Sequence, residues 1–87
     1  MTLTRYRVAV HVVPRKGLLD PQGKAVADAL QTLGFGGVSG VHVGRHLVLD
    51  LDAASEADAR RLSRQMCEKL LANPVTEDFE IATVNSV

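Results

Sequence analysis

Apolar and polar residues alternate over Arg5–Val13, with Tyr6, Val8, Val10 and Val12 on one side and Arg5, Arg7, Ala9 and His11 on the other. Period two marks a strand with one face buried, and Pro14, which has no N–H to offer a ladder, ends it. A second alternating stretch, Val38–Asp52, carries Val41, Val43, Leu47, Leu49 and Leu51 at odd positions and His42, Gly44, His46, Val48 and Asp50 at even ones. A two-residue hairpin at Gly44-Arg45 would pair Val41 with Val48 and Val43 with His46. Because paired residues share a face, that turn would point the leucines away from the valines. A single strand of about fifteen residues, bent at Gly44, keeps the five apolar side chains together; it is far longer than the usual five or six, so part of it should overhang its neighbours. A last strand is predicted over Thr76–Val84, with Phe79, Ile81 and Thr83 on one face.

Two helices separate these strands. The loop P-R-K-G-L-L-D-P-Q-G, Pro14–Gly23, ends in Asp20 as an N-cap and Pro21 with a preset φ at the first helical position. Ala25, Val26, Ala29, Leu30 and Leu33 then recur at helical spacing, with Lys24, Asp28, Gln31 and Thr32 outside the stripe. Gly34 is the expected left-handed stop, and Phe35 can fold back on the last turn. Ser55, with Asp58 three residues on, caps a second helix that runs to about Leu71. Its predicted stripe is Ala59, Leu62, Met66 and Leu70, opposite Arg60, Arg61, Arg64, Glu68 and Lys69. Asn73 before Pro74 is pushed out of the α region and ends it.

The resulting order, β-α-β-α-β, predicts an α+β two-layer sandwich with one long bent middle strand and both helices on one sheet face. A right-handed crossover would make the first two strands parallel neighbours, with the last strand antiparallel beside the first and the long strand at an edge. An overhanging edge strand invites aggregation unless covered, and a second copy pairing edge to edge is the simplest cover. Composition supports that expectation. A single domain over residues 1–87 has a thin core, yet 46% of its residues are hydrophobic. Ten basic and ten acidic residues cancel, which argues against nucleic acid or an anionic membrane as partner. With one cysteine, no basic-then-apolar leader and no apolar run of spanning length, the cytoplasm is the expected compartment.

Catalytic chemistry has few candidates. His11, His42 and His46 fall on the face away from the predicted helices. His42 and His46, four apart on one strand, are separated by about 13 Å at ~3.3 Å per residue, too far to share a zinc ion except across a symmetric interface. Cys67 lies in the last turns of a helix, where the carbonyl end of the dipole disfavours a thiolate, so it reads as a small core residue. Gly34, Gly36, Gly37, Gly40 and Gly44 follow a helix and lead into a strand, the reverse of a phosphate-binding loop. Arg15-Lys16-Gly17, before a helix N-terminus, can either hold an anion or form a solvated basic loop that meets a partner. Asp20 already occupies the cap, which weakens the anion reading. No paired carboxylates and no Ser-His grouping stand out.

Several stretches together resemble PurS, the small subunit of phosphoribosylformylglycinamidine synthase: P-R-K-G-L-L-D-P-Q-G-K-A-V (Pro14–Val26), L-G-F (Leu33–Phe35), V-H-V-G-R (Val41–Arg45) and M-C-E-K-L-L-A-N-P-V (Met66–Val75). The likeness spans nearly the whole chain without a gap, and D-P-Q-G and L-L-A-N-P-V carry most of its specificity. His42 stands where the family often has a basic residue and Thr76 where it often has isoleucine. The resemblance implies a subunit with no catalytic, cofactor-binding or metal residues of its own within a glutamine-dependent ligase of purine biosynthesis (EC 6.3.5.3). The large synthetase subunit would use ATP and Mg, a glutaminase subunit would release ammonia, and the small subunit, as a homodimer or dimer of dimers, would join them. On that reading the loops at Pro14, Arg15, Lys16 and Asp20, at Gly44 and Arg45, and at Asn73 and Pro74 meet the other subunits. The alternative is a small ferredoxin-like module that binds a regulatory effector. An RNA-binding sheet would need exposed aromatics, and Tyr6 is predicted to face inward.

Overall fold

The computed structural model describes residues 2–17 and 20–87; Leu18 and Leu19, inside the loop predicted over Pro14–Gly23, lie outside the described residues. Strand β1, Thr4–Pro14, is central to a three-stranded sheet of order β2-β1-β3, with β2 at Arg45–Ala53 and β3 at Glu77–Ser86. Helix α1 spans Pro21–Thr32; helix α2 spans Glu56–Met66 and widens into a π-type turn over Cys67–Leu71. The predicted order β-α-β-α-β and the α+β class are those of the structure.

Val8, Val10 and Val12 are fully buried, each contributing about 1.5–3 kcal/mol through the apolar area it removes from water. Leu47, Leu49 and Leu51 flank them from β2, and Phe79, Ile81 and Val84 from β3. Alternation placed Thr83 inward, but it is exposed, because Ala9 pairs with Thr83 and Val10 with Ile81, which leaves Ala82 as a bulge. The extra residue returns Val84, rather than Thr83, to the core side.

Helix α2 is capped as its sequence predicts, with the Asp58 N–H donating to Ser55 Oγ at 3.2 Å. Its buried stripe is rotated from the predicted one. Ala59, Ser63 and Cys67 are fully buried, with Cys67 in the cluster of the valines, while Leu62 is half-buried, Met66 is 37% exposed and Leu70 is 82% exposed. Small residues let the helix lie close to the sheet, and the Ser63 hydroxyl is satisfied inside by donating to the Ala59 carbonyl at 2.8 Å. The bulky residues are displaced to the flank. Burial raises the pKa of the Cys67 thiol, as suits a core residue.

The largest departure concerns α1. Only α2 packs extensively on the sheet, and strand β2 runs antiparallel to β1, not parallel. A parallel arrangement would need α1 to cross the sheet and bring the chain back to its far end. Instead the chain leaves β1 at Pro14 and returns to the sheet at the same end, so Arg45 starts β2 opposite Val12. Helix α1 and the segment 38–44 form an arm. Gln31 Nε2 donates to the Val38 carbonyl at 2.9 Å near one end, and the Val43 N–H donates to Asp20 Oδ2 at 3.0 Å near the other. The radius of gyration is 16.7 Å and the longest extent 57 Å, against about 12 Å for a compact chain of this length. The predicted fifteen-residue strand is thus a ladder over Arg45–Ala53 preceded by an unpaired segment, with no hairpin at Gly44.

The arm has built ends. Asp20 Oδ1 accepts from the Gly23 N–H at 3.0 Å. Gly34, at φ +103°, closes α1: its N–H donates to the Gln31 carbonyl at 3.1 Å and that of Phe35 to the Leu30 carbonyl at 3.0 Å. A Cβ at Gly23 would collide with the Val41 backbone. Gly23→Ala is a direct test, because alanine would ordinarily favour the helix by up to about 1 kcal/mol. Here the collision should reverse the sign and cost about 1–3 kcal/mol, read as a lower melting temperature. An unchanged or raised melting temperature would mean that helix and returning segment are not in contact. The N–H bonds from Gly23 and Val43 hold the Asp20 carboxyl below its usual pKa. A depressed carboxylate stabilises fully above the unfolded value, about 3.9, and that contribution is lost as pH falls through the folded value. Asp20→Asn, with one acceptor oxygen, should be less stable at neutral pH and lose less stability on acidification. Parallel melting-temperature profiles against pH would contradict this.

Candidate partner interface

The loop residues singled out in the sequence converge on one end of the sheet, where β1 finishes, β2 and β3 begin and α1 departs. Pro14 pairs with Glu77, the first residue of β3. The Arg15 N–H donates to the Thr76 carbonyl at 2.8 Å, and its guanidinium lies 3.3 Å from Asp78 Oδ1. Arg15 thus has a carboxylate partner at the surface, and Asp20 occupies the cap of α1. Lys16 is exposed beside Val13, Pro14 and His42.

Glu77 holds this end together, and its role was not visible in the sequence. Its Oε1 accepts from Arg45 Nη2 at 2.7 Å and from the Asn73 N–H at 2.9 Å, while Arg45 also donates to the Leu71 carbonyl at 2.9 Å. One carboxylate thus joins the start of β2, the end of the π-type turn and the start of β3. The Asn73 side chain folds its own loop, with Oδ1 accepting from the Val75 N–H at 2.9 Å and its carbonyl accepting from the Glu77 N–H at 2.8 Å. The available signal was positional: an acidic residue just after an Asn-Pro turn and opposite a proline.

These contacts sort the residues by what they can do. Asp20, Gly44 and Arg45 also make contacts that hold this end together. Asp20 ties the start of α1 to the returning segment at Val43, Gly44 lets β2 approach the Val12 carbonyl where a side chain would collide, and Arg45 anchors the Asn73 loop. Pro14, Arg15, Lys16, Asn73 and Pro74 surround them at the surface, and Val75, 73% exposed, adds an apolar tip. A cleft on one side is lined by Arg15, Ala72, Pro74, Glu77, Asp78 and Phe79, and another by Pro14, Asp20, Pro21, Val43 and Thr76. The arrangement is a mixed-polarity platform of hydrogen-bonded loops.

Elsewhere, the sheet face away from α2 carries exposed cross-strand pairs. Arg5 meets Asp52 at 3.0 Å and Arg7 meets Asp50 at 2.9 Å, solvated ion pairs of small energetic weight. His11 stands opposite His46 with ring centroids 4.8 Å apart, a neighbour relation that the sequence reading missed because it set β1 and β2 parallel. His42 sits on the arm. Among the described residues, no group of three or more His, Cys, Asp or Glu is placed to hold a metal, and no helix is long and apolar enough to cross a membrane.

Comparison with known proteins agrees with this geometry. The sequence profile of the family described as PurS, phosphoribosylformylglycinamidine (FGAM) synthase, matches residues 7–85. The chain is 43% identical over 74 residues to the phosphoribosylformylglycinamidine synthase subunit PurS of Synechocystis sp., covering 85% of this chain and 74% of that one. Thermus thermophilus PurS superposes with a TM-score of 0.84 at 35% identity, over 95% of this chain and 98% of that one. A chain of the Thermotoga maritima PurLQS structure matches at TM-score 0.77 and 28% identity, over 100% of each chain. The chain belongs to the PurS family of phosphoribosylformylglycinamidine synthase subunits.

Proposed function

We propose that this chain is the non-catalytic assembly subunit of a cytoplasmic FGAM synthase, joining the ATP- and Mg-using synthetase subunit to the glutaminase subunit while itself forming a homodimer. The observation that carries the reading is the convergence of Pro14, Arg15, Lys16, Asn73 and Pro74 on one platform stapled through Glu77. Family membership and the likeness to a PurLQS chain support reading this platform as a contact surface for other subunits. They also favour assembly over the effector-binding module, for which no observation speaks. A bridge must keep its contact groups in fixed relation while making no chemical contribution, and a carboxylate joining two strands and a turn does that.

Lys16 and Val75 are suitable probes, since both are exposed and neither belongs to the core. Lys16→Glu and Val75→Asp should leave the melting temperature within about 1 °C, a surface change. Each should weaken co-purification with the partner subunits about tenfold, equivalent to roughly 1.4 kcal/mol. Synthesis of FGAM from glutamine should fall with it, while synthesis from added ammonia stays. If the large and glutaminase subunits use glutamine equally well without this chain, the bridging role is wrong.

A further inference from the structure

The outer face of the sheet brings together three groups that the platform does not use. Strand β1 pairs with β2 so that His11 lies directly opposite His46, and with β3 so that His11 lies opposite Glu80. Directly opposite residues of an antiparallel pair share a face. All three side chains are exposed, on the side away from the valine cluster. They form one row, His46–His11–Glu80, across the whole three-stranded sheet.

Imidazole nitrogen is a ligand for Zn²⁺, Ni²⁺ and Cu²⁺, whereas Mg²⁺ and Ca²⁺ take oxygen. Whether two imidazoles can hold one ion is a matter of spacing. With a metal–nitrogen bond of about 2.1 Å and roughly 1.1 Å from nitrogen to ring centre, each ring centre lies about 3.2 Å from the ion. Two rings then stand about 4.5 Å apart in a right-angled coordination geometry and about 5.2 Å apart in a tetrahedral one. The His11 and His46 ring centroids are 4.8 Å apart, inside that interval. The antiparallel register thus supplies what His42 and His46 on one strand could not, a second imidazole at chelating distance.

A ladder, not a loop, sets this spacing. His11 and His46 lie within β1 and β2, one row from the Val12–Arg45 pair at which β2 begins. Arg45 is itself tied to Glu77 at 2.7 Å, so the strand end beside the histidines is anchored. Only side-chain torsions remain to be ordered when an ion binds, which favours chelation. The surroundings also admit a dication. The adjoining row on one side is Ala9 and Val48, and beyond it Arg7 and Arg5 are matched by Asp50 at 2.9 Å and Asp52 at 3.0 Å. On the other side Arg15 faces Asp78 at 3.3 Å. Glu80 adds a carboxylate able to accept a hydrogen bond from the second ring N–H of a metal-bound His11.

We propose that His11 and His46 form a two-imidazole site for a transition-metal dication of the zinc class, with Glu80 as its outer carboxylate. The ion staples β1 to β2 and leaves its remaining positions to water or to a group from another molecule. The site goes beyond the assembly reading and does not rest on it. Calorimetric titration of Zn²⁺ into the full chain, free of chelator and of any histidine tag, should saturate at one ion per chain, and Mg²⁺ should give no binding. In NMR spectra the ring signals of His11 and His46 should shift on the same additions while those of His42, on the arm, stay. His11→Gln and His46→Gln should each abolish saturation, Glu80→Gln should weaken binding about tenfold, and His42→Gln should change nothing. The melting temperature should rise with Zn²⁺ in the wild type, since the folded chain alone presents the pair, and stay flat in the His11 and His46 variants. A wild-type chain that does not saturate, saturation at one ion per two chains, or binding that survives His11→Gln or His46→Gln overturns the site. Unaltered affinity in Glu80→Gln overturns the part given to that carboxylate. These positions are all exposed, so each variant should melt cooperatively; should one fail to, the wild-type ring signals decide.

Discussion

The carboxylate of Asp20 is the joint on which the shape of this molecule depends. One oxygen caps α1 through the Gly23 N–H, and the other takes the Val43 N–H as the chain comes back. By tying departure to return, it makes α1 and the segment 38–44 a single arm and lets β2 begin where β1 ends. The antiparallel β1–β2 pairing and the absence of α1 from the layer over the sheet follow from this. Gly23, flush against the Val41 backbone, and Gly44, against the Val12 carbonyl, are the close approaches that let the joint shut.

With α1 removed from its own sheet, the core is confined to what α2 can cover. The three valines of β1 cluster with the small residues Cys67 and Ala72, Ala59 and Ser63 are buried on the same helix, and the leucines of β2 are only half covered. At the end where the arm leaves, Glu77 fixes Arg45 and Asn73 and turns four chain segments into one platform. A chain built this way has one end tied into a platform of loops and one long apolar side left uncovered among the described residues.

What could be read from the sequence was local. Period two found the strands, Asp20-Pro21 and Ser55-Asp58 found both helix starts, and Gly34 found a helix end, because each depends on residues within a few positions of one another. Long-range relations were not readable. An apolar stripe on α1 says that the helix will bury a face but not against what, and the nearest sheet was the wrong choice. Choosing bulky residues for the α2 stripe missed that close packing selects alanine, serine and cysteine at the centre. The bulge at Ala82 carries no composition signal, which is why Thr83 was taken for Val84. The platform residues were legible as turn chemistry and through the family likeness, whereas Glu77 acquires its role only when β2, β3 and the Asn73 loop are side by side.

Amide hydrogen exchange across a dilution series tests most directly whether the arm and the β2 edge are unfinished in a single chain. The account predicts that amides of residues 38–44 and the outward amides of β2 are protected in concentrated protein and become fast-exchanging on dilution, while those of β1 stay protected throughout. Protection of residues 38–44 that is independent of concentration, or its absence at every concentration, would contradict it.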